Sequence, residues 1–319
     1  MDALRARGDE VTVLELNGEP HRDDIEWIRT DITDPDAVRR GVEGADVVFH
    51  NASLVHTKAS REELIWAVNH KGTHNVMDAC RDAGIRRMVY VSSASVVYEG
   101  RDIENGDEAL PYSRKSQAIY ADSKIAAERD VLAAATDDFR TIAIRPHVVF
   151  GPGDTRFLPA LLAKAKSGSL RIRVGIGKWL SDFTYIDNLI DSLLVADQKL
   201  AESDECSGKA YFVTNGEPTY FWDFIAAFAE KLGYPKTIAA IPAPVAYAVA
   251  TLVEGWDNLK GGTLNKEDGL SRFAIRYMCT HHYFSVARAK QDLGWTPKVS
   301  IAEGIDRTVE HLRATGAVN

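Results

Sequence analysis

The stretch Gly84-Ile85-Arg86-Arg87-Met88-Val89-Tyr90-Val91-Ser92-Ser93 decides the fold. Its middle, Arg87–Ser92, is short, near-continuously apolar and rich in Val and Tyr, the pattern of a strand covered on both faces. Gly84, just before it, reads as the C-cap of a helical stretch, Glu62–Ala83. Working outward, the runs Glu10–Leu14, Val47–His50 and Thr141–Arg145 have the same strand character. Helical stretches Asp34–Val42 and Ser116–Thr136 lie between them, the first opened by an N-cap and a proline, Asp34-Pro35. Strand–helix–strand alternation at this spacing predicts right-handed βαβ units and a doubly wound, parallel α/β sheet.

After Gly153 the pattern changes. A helix (Phe157–Ser167) and a lone strand (Leu170–Val174) precede a return to alternation in Phe183–Tyr185, Ile186–Leu200 and Ala210–Val213. Helices at Thr219–Leu232 and Pro244–Val253, then Ser285–Leu293 and Ile301–Thr315, complete the chain. The expected division is a doubly wound domain at 1–153, with 182–215 returning to it, and a smaller interleaved substrate lobe at 154–181 and 216–319.

The chain has 319 residues, room for two domains or one large α/β unit with a lobe. Hydrophobic residues make up 45% and charged ones 26%, an ordinary globular balance. Thirty-eight Lys and Arg against 46 Asp and Glu give a net charge of −8, which argues against nucleic acid or an anionic membrane as principal partner. Cys80, Cys206 and Cys279 are odd in number and far apart, so a disulfide framework is not expected. No signal peptide or membrane-spanning stretch is read, and a cytoplasmic protein, peripheral to a membrane at most, is expected. The apolar stretch Ile241–Trp256 admits three readings: core helix, substrate lid or membrane-surface contact.

The chemistry centres on Tyr120-Ala121-Asp122-Ser123-Lys124, which puts Tyr120 and Lys124 on one helix face. A free phenol has a pKa of roughly 10. A lysine ammonium one turn away, together with a positively charged nicotinamide ring, is expected to pull it down, making the tyrosine a general acid/base. That spacing alone arises readily by chance. It gains weight from Val89-Tyr90-Val91-Ser92-Ser93, a strand running into a serine-rich turn, because ligands of doubly wound sheets bind at the carboxyl ends of strands. Ser93 can there donate a hydrogen bond to the oxygen that Tyr120 protonates. The plainer reading of Ser93 is a turn cap.

Ser93, Tyr120 and Lys124 resemble the triad of the extended short-chain dehydrogenase/reductases, within the NAD-dependent epimerase/dehydratase superfamily. Ser92–Gly100, Asn105-Gly106-Asp107-Glu108, Leu110-Pro111-Tyr112, Arg145–Asp154, Asp182–Asn188 and Leu293-Gly294-Trp295-x-Pro297 sharpen the resemblance. They point to the 3β-hydroxysteroid dehydrogenase branch and its sterol-4α-carboxylate 3-dehydrogenases. The likeness covers nearly the whole chain and thins between Pro242 and Met278.

The resemblance implies a Rossmann-like fold and NAD, with NADP an alternative. Glu15, ending the first visible strand, is placed to accept hydrogen bonds from the adenosine ribose, and its charge disfavours a 2′-phosphate. Asp31 and Ile32 match the adenine-contacting pair; Asn51, Ala52 and Ser53 match the backbone along the diphosphate and ribose. Asn69 opens an N-x-x-G-T match with Gly72 and Thr73 that orders the active-site helix. Ser92, Tyr120, Lys124, Pro146 and Val149 complete the implied cofactor contacts. No metal site is expected, since His281-His282 lacks partners at zinc-motif spacing.

One departure stands out. The strand and G-x-x-G-x-x-G turn that open such domains have no counterpart, and Met1–Leu14 resembles the end of the first helix and the second strand. The expectation is a first strand lying upstream of this chain, poor NAD binding and marginal stability for these 319 residues. The function expected is an NAD(P)-dependent dehydrogenase/reductase of a secondary alcohol or ketone on a hydrophobic steroid or sterol. The alternatives are a 2-alkyl-3-oxoalkanoate reductase, a nucleotide-sugar epimerase/dehydratase and a non-catalytic degenerate member. A homodimer paired through Glu62–Ala83 and Ser116–Thr136 is expected from the resemblance.

Overall fold

The computed structural model describes residues 1–17, 22–55, 61–116, 118–259 and 271–318, apart from the side chains of residues 257 and 258. The first half runs α1 (Asp2–Arg7), β1 (Thr12–Glu15), β2 (Glu26–Arg29), α2 (Pro35–Val42), β3 (Val47–His50), α3 (Glu62–Trp66), α4 (Gly72–Asp82), β4 (Arg87–Val91), β5 (Ile103–Gly106), α5 (Ile119–Ala133), β6 (Arg140–Pro146) and β7 (Val149–Phe150). The second half runs α6 (Phe157–Lys166), β8 (Ile172–Val174), β9 (Leu180–Ser181), β10 (Thr184–Tyr185), α7 (Ile186–Glu202), β11 (Lys209–Val213), β12 (Thr219–Tyr220), α8 (Phe221–Lys231), β13 (Ala239–Ile241), α9 (Ala243–Leu259), α10 (Arg272–Met278), β14 (His282–Phe284) and α11 (Ile301–Ala314).

The main sheet is parallel, in the order β11-β6-β4-β3. Its strands sort their side chains by the two-residue period of an extended chain. On β4, Met88 and Tyr90 join one cluster with Val38, Val76 and Val131 from the helices on that face. Val89 turns to the other face, among Leu189, Leu193 and Leu200 of α7. Ala143 of β6 likewise faces the first cluster, while Ile142 and Ile144 face the second. Two covered faces explain why these strands read as continuous apolar runs, and each large side chain so buried contributes about 1.5–3 kcal/mol.

β1 and β2 form a separate parallel ladder, so β1 and β3 belong to different sheets. β1 is tied to the first cluster through α2: Leu14 packs so close to Gly41 that a Cβ there would stand 2.5 Å from Leu14 Cδ2. Asp34 caps α2 as expected, accepting hydrogen bonds from the Asp36 and Ala37 amides.

A second sheet has the order β12-β9-β14-β5, and β8 pairs with β13. A second core gathers Phe150 and Phe183 with Phe224 and Phe228, Phe183 stacked on Phe224 at 3.6 Å between ring centroids, and so joins residues from both sides of the expected division. Two more features cross it. β5, within residues 1–153, pairs with β14, and Ala289, Leu293 and Trp295, assigned to the lobe, pack on the main sheet beside α7.

Local departures have local causes. The expected helix Glu62–Ala83 contains a π turn at Ala67–Lys71, between α3 and α4, centred on Asn69. Of the expected helix Ser116–Thr136, Gln117 lies outside the described residues; α5 starts at Ile119 because Ala118 is extended (φ −160°). Thr219 and Tyr220 pair with β9 before α8 begins. In Ser285–Leu293 helix begins at Ala287 and passes at once into a π turn, Ala289–Leu293, which Gly294 ends at φ 72°. In α9, Ala246 and Ala250 are buried while Val249, Leu252, Val253 and Trp256 are exposed, so a purely core reading of this helix does not hold. Among the described residues no helix is long and apolar enough to cross a membrane.

Candidate active site

β4 ends at Val91, and the chain turns so that the Ser92 amide donates to Ile144 O at 2.7 Å, keeping this corner flush with β6. Ser93 is extended (φ −159°) and N-caps a short 3₁₀ turn, Ala94–Val97, its Oγ accepting from the Ser95 amide at 3.2 Å. The turn-cap reading of Ser93 therefore holds. The Tyr120 phenol lies near enough to this hydroxyl, and to that of Ser53, for both to favour its anion.

α5 presents Tyr120, Lys124 and Glu128 at successive i, i+4 positions. Lys124 is 2% exposed; its Nζ donates to Val91 O at 2.6 Å and lies 4.1 Å from the Tyr90 ring centroid. Burial pulls its pKa down to about 7, opposed by the charge of Glu128. Glu128 in turn accepts from Arg145 Nη2 at 2.6 Å and from Tyr112 Oη at 2.7 Å.

Here the structure corrects one expectation. The Tyr120 phenol lies above its ordinary value, not below it: burial raises it, while Ser93, Ser53 and the charge of Arg156 pull it partly back. Lys124 spends its short hydrogen bond on a backbone carbonyl, as a buried ammonium must find an acceptor.

Asn69 fixes the surroundings. Its Oδ1 accepts from Leu54 N (2.6 Å) and Ser53 Oγ (3.3 Å), and its Nδ2 donates to Leu54 O and Ser123 Oγ, both at 3.0 Å. All four hydrogen-bonding positions of the amide are used, welding the loop after β3 to α5. Thr73 Oγ1 donates to Asn69 O, so His50 Nε2 carries the proton it gives to Thr73. Burial and the charge of Lys124 lower the His50 pKa to about 3. Gly72 lets Ile32 approach: a Cβ there would stand 2.7 Å from Ile32 Cδ1.

The sequence-predicted residues stand at, or just past, the carboxyl ends of the parallel strands: Glu15 on β1, Asp31 and Ile32 after β2, Asn51–Ser53 after β3, Ser92 and Ser93 after β4, and Pro146 on β6. Ser53, Asn69, Ser123 and the Tyr120 carbonyl are joined by hydrogen bonds, and Ser93 lies by the Tyr120 phenol. Glu15 and Asp31 hold turns of their own, accepting from the Leu16 and Asn17 amides and from Thr33. Pro146 and Val149 flank Val148, a β-branched residue at φ 33°, a backbone strain of the kind found at functional sites.

Beyond Pro146 lies a cluster the sequence does not show. His282 Nε2 donates to Tyr277 O (2.7 Å), leaving its Nδ1 to accept from His147 Nε2 at 2.8 Å. Tyr277 Oη lies 3.1 Å from His147 Nε2, and Asp182 alongside accepts from the Phe284 amide. Burial lowers both imidazole pKa values, His282 to about 4, and raises Asp182 to about 7. These residues are up to 135 positions apart, so no local spacing could have revealed them.

A parallel α/β sheet with a Ser–Tyr–Lys group at the carboxyl end of its inner strand defines the dehydrogenase/reductase class of Rossmann-like enzymes. The profile of the 3-beta hydroxysteroid dehydrogenase/isomerase family matches residues 10–242, and the chain belongs to that family of oxidoreductases. It is 37% identical over 295 residues to the decarboxylating sterol-4-alpha-carboxylate 3-dehydrogenase ERG26 of Saccharomyces cerevisiae, covering 90% of this chain and 83% of that protein. It is 39% identical over 293 residues to the 2-alkyl-3-oxoalkanoate reductase of Stenotrophomonas maltophilia, covering 91% and 86%. Its fold is shared by MoeE5 in complex with UDP-glucuronic acid and NAD, at a TM-score of 0.74 and 22% identity, over 98% of this chain and 94% of that one.

Proposed function

We propose that the chain interconverts a secondary alcohol and a ketone on a hydrophobic substrate, a 3β-hydroxysteroid or sterol-4α-carboxylate foremost, using NAD. The observation that carries this is the gathering of Ser93 and Tyr120 at the carboxyl end of β4, with Lys124 buried one turn along α5 and bonded to Val91 O. NAD fits the residues present at its nicotinamide end. Ser92 Oγ is buried there with no hydrogen-bond partner among the described residues, Lys124 offers a cation, and Pro146 and Val149 offer a wall. Glu15 ends β1 where a ribose acceptor is needed, which favours NAD over NADP.

NAD, when bound, supplies or accepts the hydride. Tyr120 Oη exchanges the proton with the substrate oxygen, and Ser93 Oγ hydrogen-bonds the same oxygen. Lys124, turned from Val91 O toward a ribose hydroxyl, would bring its charge to bear on the phenol and hold the cofactor. In the cofactor-free state the raised pKa keeps the phenol protonated at neutral pH. Oxidation of a 4α-carboxylated substrate yields a β-keto acid, which then loses CO2.

A second reading, reduction of 2-alkyl-3-oxoalkanoates, is favoured by the Stenotrophomonas relative and uses the same residues. The sugar-nucleotide neighbour bears on the fold alone. The lobe formed by 154–181 and 216–319 would hold the substrate, and the exposed apolar face of α9 would meet lipid. Pairing of two chains through α3–α4 and α5 completes the proposal.

The test is NADH absorbance over a panel of 4α-carboxysterols, 3β-hydroxysteroids and 2-alkyl-3-oxoalkanoates. Tyr120→Phe is expected to lower turnover about 10²–10⁴-fold. Unchanged turnover removes the acid/base role, and turnover of the oxoalkanoates alone selects the second reading.

A further inference from the structure

On the opposite flank of α5, three metal-ligating side chains converge. His70 leaves the π turn, His74 leaves α4 one turn later, and Asp130 comes from the last turn of α5. His70 Nε2 lies 2.7 Å, and His74 Nε2 2.8 Å, from the same oxygen, Asp130 Oδ2. The three ligand atoms lie within 4.8 Å of one another. In the single chain the side chains are 32%, 43% and 40% exposed, on the helices through which two chains are proposed to pair.

We propose that His70, His74 and Asp130 form a binding site for a divalent transition metal of the zinc class, distinct from the Ser93–Tyr120–Lys124 site. Two imidazoles at i, i+4 on one helix face make a bidentate chelate, the spacing that zinc-binding helices use. Asp130 adds an oxygen from a second helix, giving a three-ligand set whose fourth position is open to water. Nitrogen-rich donors select zinc, nickel or copper over magnesium or calcium, which take all-oxygen sets.

Trp66 sets its ring against His70 edge-on at 5.6 Å, fixing the imidazole plane. Tetrahedral bonds of about 2.0–2.1 Å would space the ligand atoms about 3.3 Å apart. The two His–Asp distances therefore have to open by about half an ångström.

The metal would act by position. Asp130 lies ten residues beyond Tyr120, about 15 Å along the helix, too far to touch a substrate oxygen there. His70 follows Asn69, however, so the ion would clamp the π turn whose Asn69 ties Ser53 to Ser123 of α5. The H-x-x-x-H spacing of His70 and His74 is the part of this site that the sequence carries.

The test is calorimetric titration of the chain with ZnCl2, with Co2+ absorption as a coordination probe. One Zn2+ per chain and a Co2+ d–d spectrum are expected, with no binding of Mg2+ or Ca2+. His74→Gln and Asp130→Asn, on separate helices and both half-exposed, should each weaken Zn2+ binding about 10–100-fold. His281→Gln should leave it unchanged. No Zn2+ uptake by the folded chain, equal affinity in both ligand variants, or equal uptake of Ca2+ would overturn the assignment.

Discussion

The ammonium of Lys124 donates to the carbonyl of Val91 at 2.6 Å, tying the active-site helix to the end of the inner strand. That bond is the resting position of a group whose proposed work lies on the cofactor and on Tyr120. Its charge depends on Glu128, one turn away, whose anion opposes the desolvation that takes Lys124 to about 7.

Glu128→Gln removes that support. Lys124 should then lose its proton at lower pH, and the limb of the kcat/KM profile that reports on it should move to lower pH with it, because kcat/KM reads groups of the free enzyme. The same change leaves Arg145 buried without its anion and should cost about 3–5 kcal/mol by denaturant titration. An unmoved profile in a folded variant would separate Lys124 from Glu128.

Asn69→Ala deletes four hydrogen bonds from one buried amide. Leaving Leu54 N and O unpartnered should cost about 1–3 kcal/mol. Turnover should fall more than KM rises, since Ser53 and α5 would lose their common anchor. Thermal melts and steady-state kinetics on one preparation check both.

The buried titrating groups give the stability–pH curve opposing parts. His282 and His50 are depressed to about 4 and about 3, so the stability they contribute is complete above pH 6.5 and is lost as the pH falls toward those values. Asp182 is raised to about 7 from 3.8, so its contribution is complete below pH 3.8 and is lost as the pH rises through 7. Asp182→Asn should therefore raise the Tm at pH 8 relative to its value at pH 4.5, steepening the acid side of the curve. His282→Gln should flatten it. A pH dependence of Tm from pH 4.5 to 8 that neither variant alters would show that these groups titrate normally.

The exposed apolar face of α9 should show itself on lipid. Leu252 and Trp256 are 74% and 58% exposed, so Leu252→Ser/Trp256→Ser should lose little stability and reduce co-sedimentation with neutral phosphatidylcholine vesicles. Neutral lipid is the appropriate probe for a chain of net charge −8. Equal sedimentation of both forms would leave α9 without a membrane role.

Much of the fold was legible because β4 and β6 obey local rules. Met88, Val89 and Tyr90 are buried on alternate faces, so the strand reads as an apolar run whatever surrounds it. The short strands β5, β9, β12 and β14 were not legible, because two to four residues carry no period and pair with partners far along the chain. The Tyr120–Lys124 spacing and the Ser93 turn were likewise local. The ligands of Asn69 were not, since Leu54 and Ser123 reach it from either side across 15 and 54 positions.

The sequence by itself determined the doubly wound α/β class, the family likeness and the residues worth examining, because periodicity, caps and motif spacing are properties of near neighbours. Only the tertiary structure decided how those residues are charged and aimed. Burial raises Tyr120 and lowers Lys124, turns the lysine to Val91 O, gathers His147 with His282 and brings Asp130 to His70 and His74. Desolvation and hydrogen bonding depend on which distant segments exclude water from a group, and that is set when the chain packs.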